Sequence, residues 1–413
     1  MISVLQSQVK KFRFSVDRGR RGDDKSPRPN APASASKVHS TPTSSPWDLL
    51  PVEIQIKIFA QCSVQDLLPL RLVCRAFYEV LTAHEHSIAR QYLRQRRHGT
   101  LPSPIDNERT YTRNPEDDVM LLSDLFPPAK SAKGGHLYTF RYLHSLRRRQ
   151  KWCSRLCWYI ANLVMNGFLH REPAFVKLRF PLKSERQEFS KRGVASLWFN
   201  LTPLMYCVLY FLETYARSRQ EHKNILLQEF EAGRLPVPIP PDVRKTMYRE
   251  LQFKILQSPP FTDTPTLIST HHCMQLLVSI LRNTVPPEEQ GTSDDSWIGS
   301  LLTFSPFVRI LEYLSAEIGD GGSQRAQRKY FMQNFENDLM KNARDERSSL
   351  VFKGALNGSE HQPIRDTWFD VAKHELTTRR AVPHDIERIW VYDDIPIIFG
   401  CTNCHPSTDG WFA

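Results

Sequence analysis

Apolar residues fall three and four positions apart along most of this chain, a spacing that predicts helices. The densest pattern lies between positions 47 and 98. Leu50-Pro51 opens a helix there, because proline suits the first helical position, where its missing N–H is not needed. Ile54, Ile58 and Phe59 follow at helical spacing. Ser63-Val64-Gln65-Asp66 reads as a capping box, with Ser63 capping and Asp66 at the third helical position. A second series, Leu67, Leu70, Val73, Cys74, Phe77 and Leu81, makes one helical face apolar. The third helix is expected to run on through Ile88, Tyr92 and Leu93 and to stop at the basic run Arg94–His98 before Gly99. Three helices in so short a span make a small core and leave apolar surface over.

Beyond this segment the pattern predicts a mainly α chain. Residues 99–135 carry Pro102, Pro104, Pro115 and Pro127-Pro128 and read as a proline-rich linker, with a short helix over Asp117–Phe126. Residues 136–350 read as a larger helical domain. In its first long helix Trp152, Leu156, Tyr159, Ile160, Leu163 and Val164 sit three or four apart and form the expected buried face. Residues 174–193 are short, charged and mixed. Leu197–Tyr215 is the most apolar helix and the expected centre of the core, with Pro203 at a start or a kink. Helices over His222–Glu231, Asp242–Gln257 and Thr264–Thr284 follow, with an extended linker, Gly233–Pro241, between the first two. Pro286–Ser296 is a loop, Trp297–Ile318 one helix, Gly319–Ser323 a break, and Gln324–Glu346 a helix with Tyr330, Phe331, Phe335 and Leu339 on one side. Residues 351–413 read as a segment packed on this domain, with a helix around Trp368, Val371 and Leu376 and a short strand over 388–399.

Charge changes the picture at the start of the chain. The formal net charge is +11 and the pI about 9.3. Residues 1–46 hold nine Lys or Arg against three Asp, a local +6. From Ser26 to Pro46 almost nothing is apolar, so the segment reads as a disordered basic tail that has no core with which to offset the entropy of ordering. The first residues lack the charged-then-apolar order of a secretory signal. The apolar run Leu197–Leu212 is shorter than the ~20 residues of a membrane span. Cytoplasm or nucleus is the expected location, with no membrane partner. A second basic cluster, Arg147-Arg148-Arg149, stands near Trp152 and Trp158, a combination that can hold single-stranded nucleic acid. An amphipathic helix with a basic outer face accounts for the same residues, and nucleic acid is not the expected partner.

The segment 47–98 resembles an F-box. The resemblance is carried by Leu50-Pro51 with Glu53 two positions on, by Asp66-Leu67-Leu68, and by the ending Leu70, Val73, Cys74, Arg75, Phe77. The layout, an F-box ahead of a helical region of no recognisable type, is similar to the fungal kind. The resemblance implies a docking module for the Skp adaptor of a cullin–RING ubiquitin ligase, the rest of the chain holding a protein substrate for degradation. It implies adaptor contacts at Leu50, Pro51, Ile54, Leu67, Val73, Cys74 and Phe77; Ile58 and Leu81 fit the module's own core equally. A scaffold outside any ligase, or a nucleic-acid-associated protein, are the other readings.

Catalytic templates do not fit. No phosphate-binding loop, dinucleotide fingerprint, nucleophile elbow or H-E-x-x-H helix occurs. Cys401-Thr402-Asn403-Cys404-His405 matches a haem-attachment string and half a zinc knuckle, but the string alone supplies at most three ligands, and His384 or His271, His272 and Cys273 are distant. Asp393-Asp394 is a pair of acids with no partner motif. An adaptor rather than an enzyme is expected, with no cofactor and no metal.

Overall fold

A computed structural model describes residues 46–47, 49–96, 118–171, 173–235, 237–284, 296–318, 321–343, 346–353, 365–381, 387–392 and 395–399. The tail up to residue 45, the first part of the expected linker, the loop after Thr284, Asp393-Asp394, His384 and Cys401–His405 lie outside the described residues. The chain divides into Met1–Leu49, of which Pro46, Trp47 and Leu49 are described, and Leu50–Ala413.

The second unit begins with four short helices: α1 Val52–Gln61, α2 Val64–Leu70, α3 Arg75–Ala83 and α4 Glu85–Arg96. Pro51 is the N-cap of α1, one position before the expected place, and its carbonyl accepts from the N–H groups of Ile54 and Gln55. Ser63 caps α2 with its backbone, while its hydroxyl donates to the Asp66 carboxylate at 2.7 Å instead of closing a backbone box. The expected third helix is two, because His84 leaves helical geometry (φ −114°, ψ 20°) and turns the chain. That turn lets α4 fold back on α1. Phe59, Ala60, Leu81, Ile88 and Tyr92 are buried, and Phe59 meets Phe77 edge to face at 5.3 Å.

The helical body is built on two long helices, α6 Phe140–Arg171 and α8 Lys183–Glu231, with α5 Asp118–Leu125 before them and α7 Pro173–Arg179 between. The charged stretch 183–193, the apolar stretch 197–215 and the stretch 222–231 are one continuous helix. Pro203 sits inside it, and next to it Thr202 turns its hydroxyl onto the Trp198 carbonyl at 2.6 Å. By length and composition α8 could cross a membrane, but most of its apolar window is inside the protein, with Leu201, Leu209, Phe211 and Tyr215 fully buried. The two helices run antiparallel: Arg149 pairs with Glu213, the Cys153 thiol reaches the Met205 carbonyl, and the Trp198 indole donates to the Ser154 carbonyl at 3.0 Å. At Gly193 the approach is close: a Cβ there would lie 2.4 Å from the Met165 sulfur, so the end of the Met165 side chain would have to move. Gly233, at φ 70°, ends α8 as a left-handed cap.

The remaining helices surround this pair: α9 Pro241–Leu256, α10 Thr264–Thr284, α11 Ser296–Phe304, α12 Val308–Ile318, α13 Gly321–Ala343, α14 Glu346–Val351 and α15 Asp370–Thr378. The expected single helix 297–318 is broken near Pro306 into α11 and α12. Tyr330 of α13 faces outward, unlike Phe331 and Phe335, which are buried. The segment before α9 is extended as its prolines require, and Ile239 pairs there with Val351 and Lys353 through its N–H and carbonyl. A π-helical turn, Arg365–Phe369, carries Trp368 into the core against Phe211 at 4.6 Å. Arg379 then clamps the end of α9, donating to the carbonyls of Leu256 and Phe261. The expected strand 388–399 is a hairpin, β1 Glu387–Tyr392 antiparallel to β2 Ile395–Phe399.

The expected linker does not separate two bodies. Helix α5 packs on α4, α6 and α8, and α2 and α4 both pack on α6. Glu85, the first residue of α4, accepts from the Phe140 N–H at 2.6 Å and from Arg71 at 3.1 Å. The Arg71 guanidinium also lies over the Phe140 ring at 4.9 Å.

Candidate functional site

Helices α1 to α3 expose an apolar face. Among the described residues twenty large apolar side chains are exposed, and seven fall between Val52 and Tyr78: Val52, Ile54, Ile58, Leu68, Leu72, Val73 and Tyr78. Such a concentration in one short stretch makes it a candidate interaction surface, whereas single exposed apolar residues are ordinary. Ile54 and Ile58 stand one turn apart on α1, 40% and 41% exposed, while Phe59 and Ala60 point inward. Leu72 and Val73, 88% and 65% exposed, lie in the turn between α2 and α3. The turn is fixed by its backbone, with the Leu72 N–H on the Pro69 carbonyl and the Val73 N–H on that of Leu70. Cys74 follows as the extended N-cap of α3 (φ −157°), its thiol exposed and free.

The expected adaptor contacts therefore divide. Pro51, Ile54, Val73 and Cys74 are exposed, and Leu50 and Phe77 are half-buried. Leu67 is fully buried, as is Val64, on the helix that packs against α6. Leu67 belongs to the core of the free chain and, unlike Pro51, Ile54, Val73 and Cys74, is not presented at its surface. Leu81 is core and Ile58 is surface, which resolves the choice left open for those two. Leu68, Leu72 and Tyr78 were not expected on the face. Leu72 stands off the apolar periodicity, and its exposure follows from the turn geometry, which no spacing rule reports.

Elsewhere a pocket of about 400 Å³ opens beside Pro203, between α5, α8 and the start of α10. Leu121, Leu125, Leu204 and Pro265 line it, with Asp124, Cys207, Thr266 and Ser269 as polar groups. Burial pushes the Cys207 thiol up to about 11 and raises that of Cys153 well above its ordinary value, so both are protonated at neutral pH and neither is set up as a nucleophile. Asp263 caps α10, accepting from the Thr266 N–H at 3.0 Å and from its hydroxyl at 2.6 Å, and these bonds hold its carboxyl below the usual range. His271, His272 and Cys273 are buried in α10, and among the described residues no cluster of three His, Cys, Asp or Glu is arranged to hold a metal ion.

Compared with known families, residues 47–90 match the F-box-like domain. The match is to the domain alone and does not distinguish a fungal layout from any other. Over the whole chain no curated protein and no solved structure matches. The LP opening, the capped second helix, the VCR-x-F ending and the exposed apolar face over α1 to α3 agree with that match, and residues 47–90 of this chain form an F-box-like domain.

Proposed function

We propose that this chain is the substrate-recognition subunit of an SCF-type cullin–RING ubiquitin ligase. Its F-box-like domain docks the Skp adaptor, and its helical body presents a protein substrate. The observation that carries the reading is the exposed face formed by Ile54, Ile58, Leu72 and Val73 within a matched F-box-like domain. Leu50, Pro51, Cys74 and Phe77 border it in sequence, and Leu67 supports it from beneath by fixing α2. Docking removes this apolar area from water, worth roughly 25 cal/mol per Å² before the costs of association are subtracted. The chain forms no bond itself in this reading, and ubiquitin transfer belongs to other subunits. The rigid seating of α2 and α4 on α6 supports presentation at a fixed distance and angle from the adaptor.

The experiment is a co-purification of the full chain with the Skp adaptor and cullin, beside a Leu50→Ala/Pro51→Ala variant. Capture of both partners by the wild type, and loss of both by the variant, is the expected result. Capture of the adaptor without cullin would replace the ligase with a scaffold outside it. Capture of neither would remove the docking role.

A further inference from the structure

The outward side of α6 carries a second surface that the adaptor role leaves unused. From Phe140 to Tyr159 the five exposed positions are Arg141, Arg148, Lys151, Arg155 and Trp158. No acid and no apolar aliphatic residue interrupts them. At 3.6 residues per turn they fall within a sector of about 100°, and at 1.5 Å per residue they extend over about 25 Å. The stripe is narrow and straight, a line of charge rather than a plane.

Two further observations give it chemistry. None of the four cations has a carboxylate partner among the described residues. Their inward neighbour Arg149 does: it is held by Glu213 at 2.7 Å and lies over the Phe126 ring at 4.3 Å. Three other half-buried arginines are held as Arg149 is: Arg71 by Glu85, Arg309 by Asp338 and Arg379 by Glu375. The second observation is aromatic. Trp158 is 48% exposed and stands edge to face on Trp198 at 6.2 Å. The Trp198 indole is itself pinned to Ser154 through the carbonyl at 3.0 Å and the hydroxyl at 3.1 Å. A half-exposed indole is thus presented on a fixed support at the end of the line of cations. About two turns before Arg155, the Arg148 guanidinium lies over the Trp152 ring at 5.1 Å, a cation–π pair on the stripe.

We propose that this face of α6 binds single-stranded nucleic acid, with phosphates along Arg141, Arg148, Lys151 and Arg155 and a base stacked on Trp158. Cations spaced along a line suit a linear polyanion, and an exposed, braced indole suits a base, since every base has a π-face. The reading is independent of adaptor docking, which uses other helices.

The test is the fluorescence anisotropy of a labelled oligouridylate with the full chain, over a series of potassium chloride concentrations. Three proteins are compared: wild type, Arg148→Glu/Lys151→Glu/Arg155→Glu, and Trp158→Ala. Each single-strand phosphate contact contributes about −0.7 to the slope of log K against log salt, so the triple variant should bind at least tenfold more weakly with a slope about 2 units shallower. Trp158→Ala should bind about tenfold more weakly with the slope unchanged, because stacking releases no counterions. All the substituted positions are exposed, and equal melting temperatures of the three proteins exclude misfolding as the cause. A triple variant that binds like the wild type would assign the binding to the basic residues 1–46 and overturn the proposal. So would a Trp158→Ala protein with undiminished affinity, and so would stripe-dependent binding to phosphatidylserine vesicles without binding to the oligomer.

Discussion

Glu85 joins the first four helices to the body. One carboxylate takes the Phe140 N–H at the start of α6 and the guanidinium of Arg71, and Arg71 covers the Phe140 ring. Glu85→Ala removes the acceptor of that N–H and leaves the half-buried Arg71 only its long 3.5 Å bond to the Leu81 carbonyl. The expected loss is about 1–3 kcal/mol, read as a shift of the urea midpoint at unchanged slope. Gly193 is a position of the opposite kind, where nothing is missing but room. A leucine there forces the buried Met165 side chain to repack and should cost about 1–3 kcal/mol by the same measurement. Histidines set a pH dependence. Burial lowers the pKa of His144 and of His222, and Lys254 adds to the effect at His222, against Glu250. Both are neutral in the fold at neutral pH. As pH falls below the ordinary value of 6.5 the unfolded chain takes up protons first, so stability declines from there and levels off below the depressed folded values. The melting temperature should fall through that window, and less steeply in a His222→Gln protein.

At the scale of elements, much of the fold is legible in the sequence, and the departures have local causes. The apolar faces of α1, α6, α9 and α10 can be read directly, because a 3.6-residue period over many turns outweighs any local signal. The short helix expected over Asp117–Phe126 is found as Asp118–Leu125, set off by the prolines on either side of it. Boundaries that depend on a single residue are harder. His84 splits α3 from α4 with a backbone angle that carries no compositional mark, while Pro306 divides α11 from α12 as a proline should. Helix α8 is the reverse case. Its two ends are polar because they extend past the core, so charge there signals exposure rather than a break. Pro203 signals a kink or a start, yet the helix continues through it. An interior proline withholds one backbone hydrogen bond and strains the preceding turn, so Pro203→Ala should raise stability by about 1–3 kcal/mol, within the ~3 kcal/mol propensity gap. A rise in the thermal midpoint checks this. The candidate site is legible to a similar degree. Its motif is plain in Leu50-Pro51 and Val73-Cys74-Arg75, but the burial of Leu67 follows from the packing of α2 on α6, which lies some seventy positions away in sequence and which no local spacing reports.

At the scale of the whole molecule, the F-box-like domain is part of a larger packed unit, with α2 and α4 seated on α6 and α5 alongside. A fragment ending near Arg96 would expose Val64 and Leu67 and should unfold at lower denaturant than the same helices in the full chain. This is why the docking role is best tested by surface substitutions in the full protein rather than by excision. The most direct measurement is the affinity of the purified full chain for the Skp adaptor by isothermal titration calorimetry. The wild type is set beside an Ile54→Glu/Val73→Glu protein whose melting temperature is first shown to be unchanged. Both side chains are exposed, so the fold should accept the charges and the interface should not. Anchor residues of such interfaces are each worth about 2 kcal/mol or more, so binding by the wild type and a loss of at least ~30-fold in the variant is the predicted result. Equal affinity of the two proteins, or no binding by the wild type, would contradict the account.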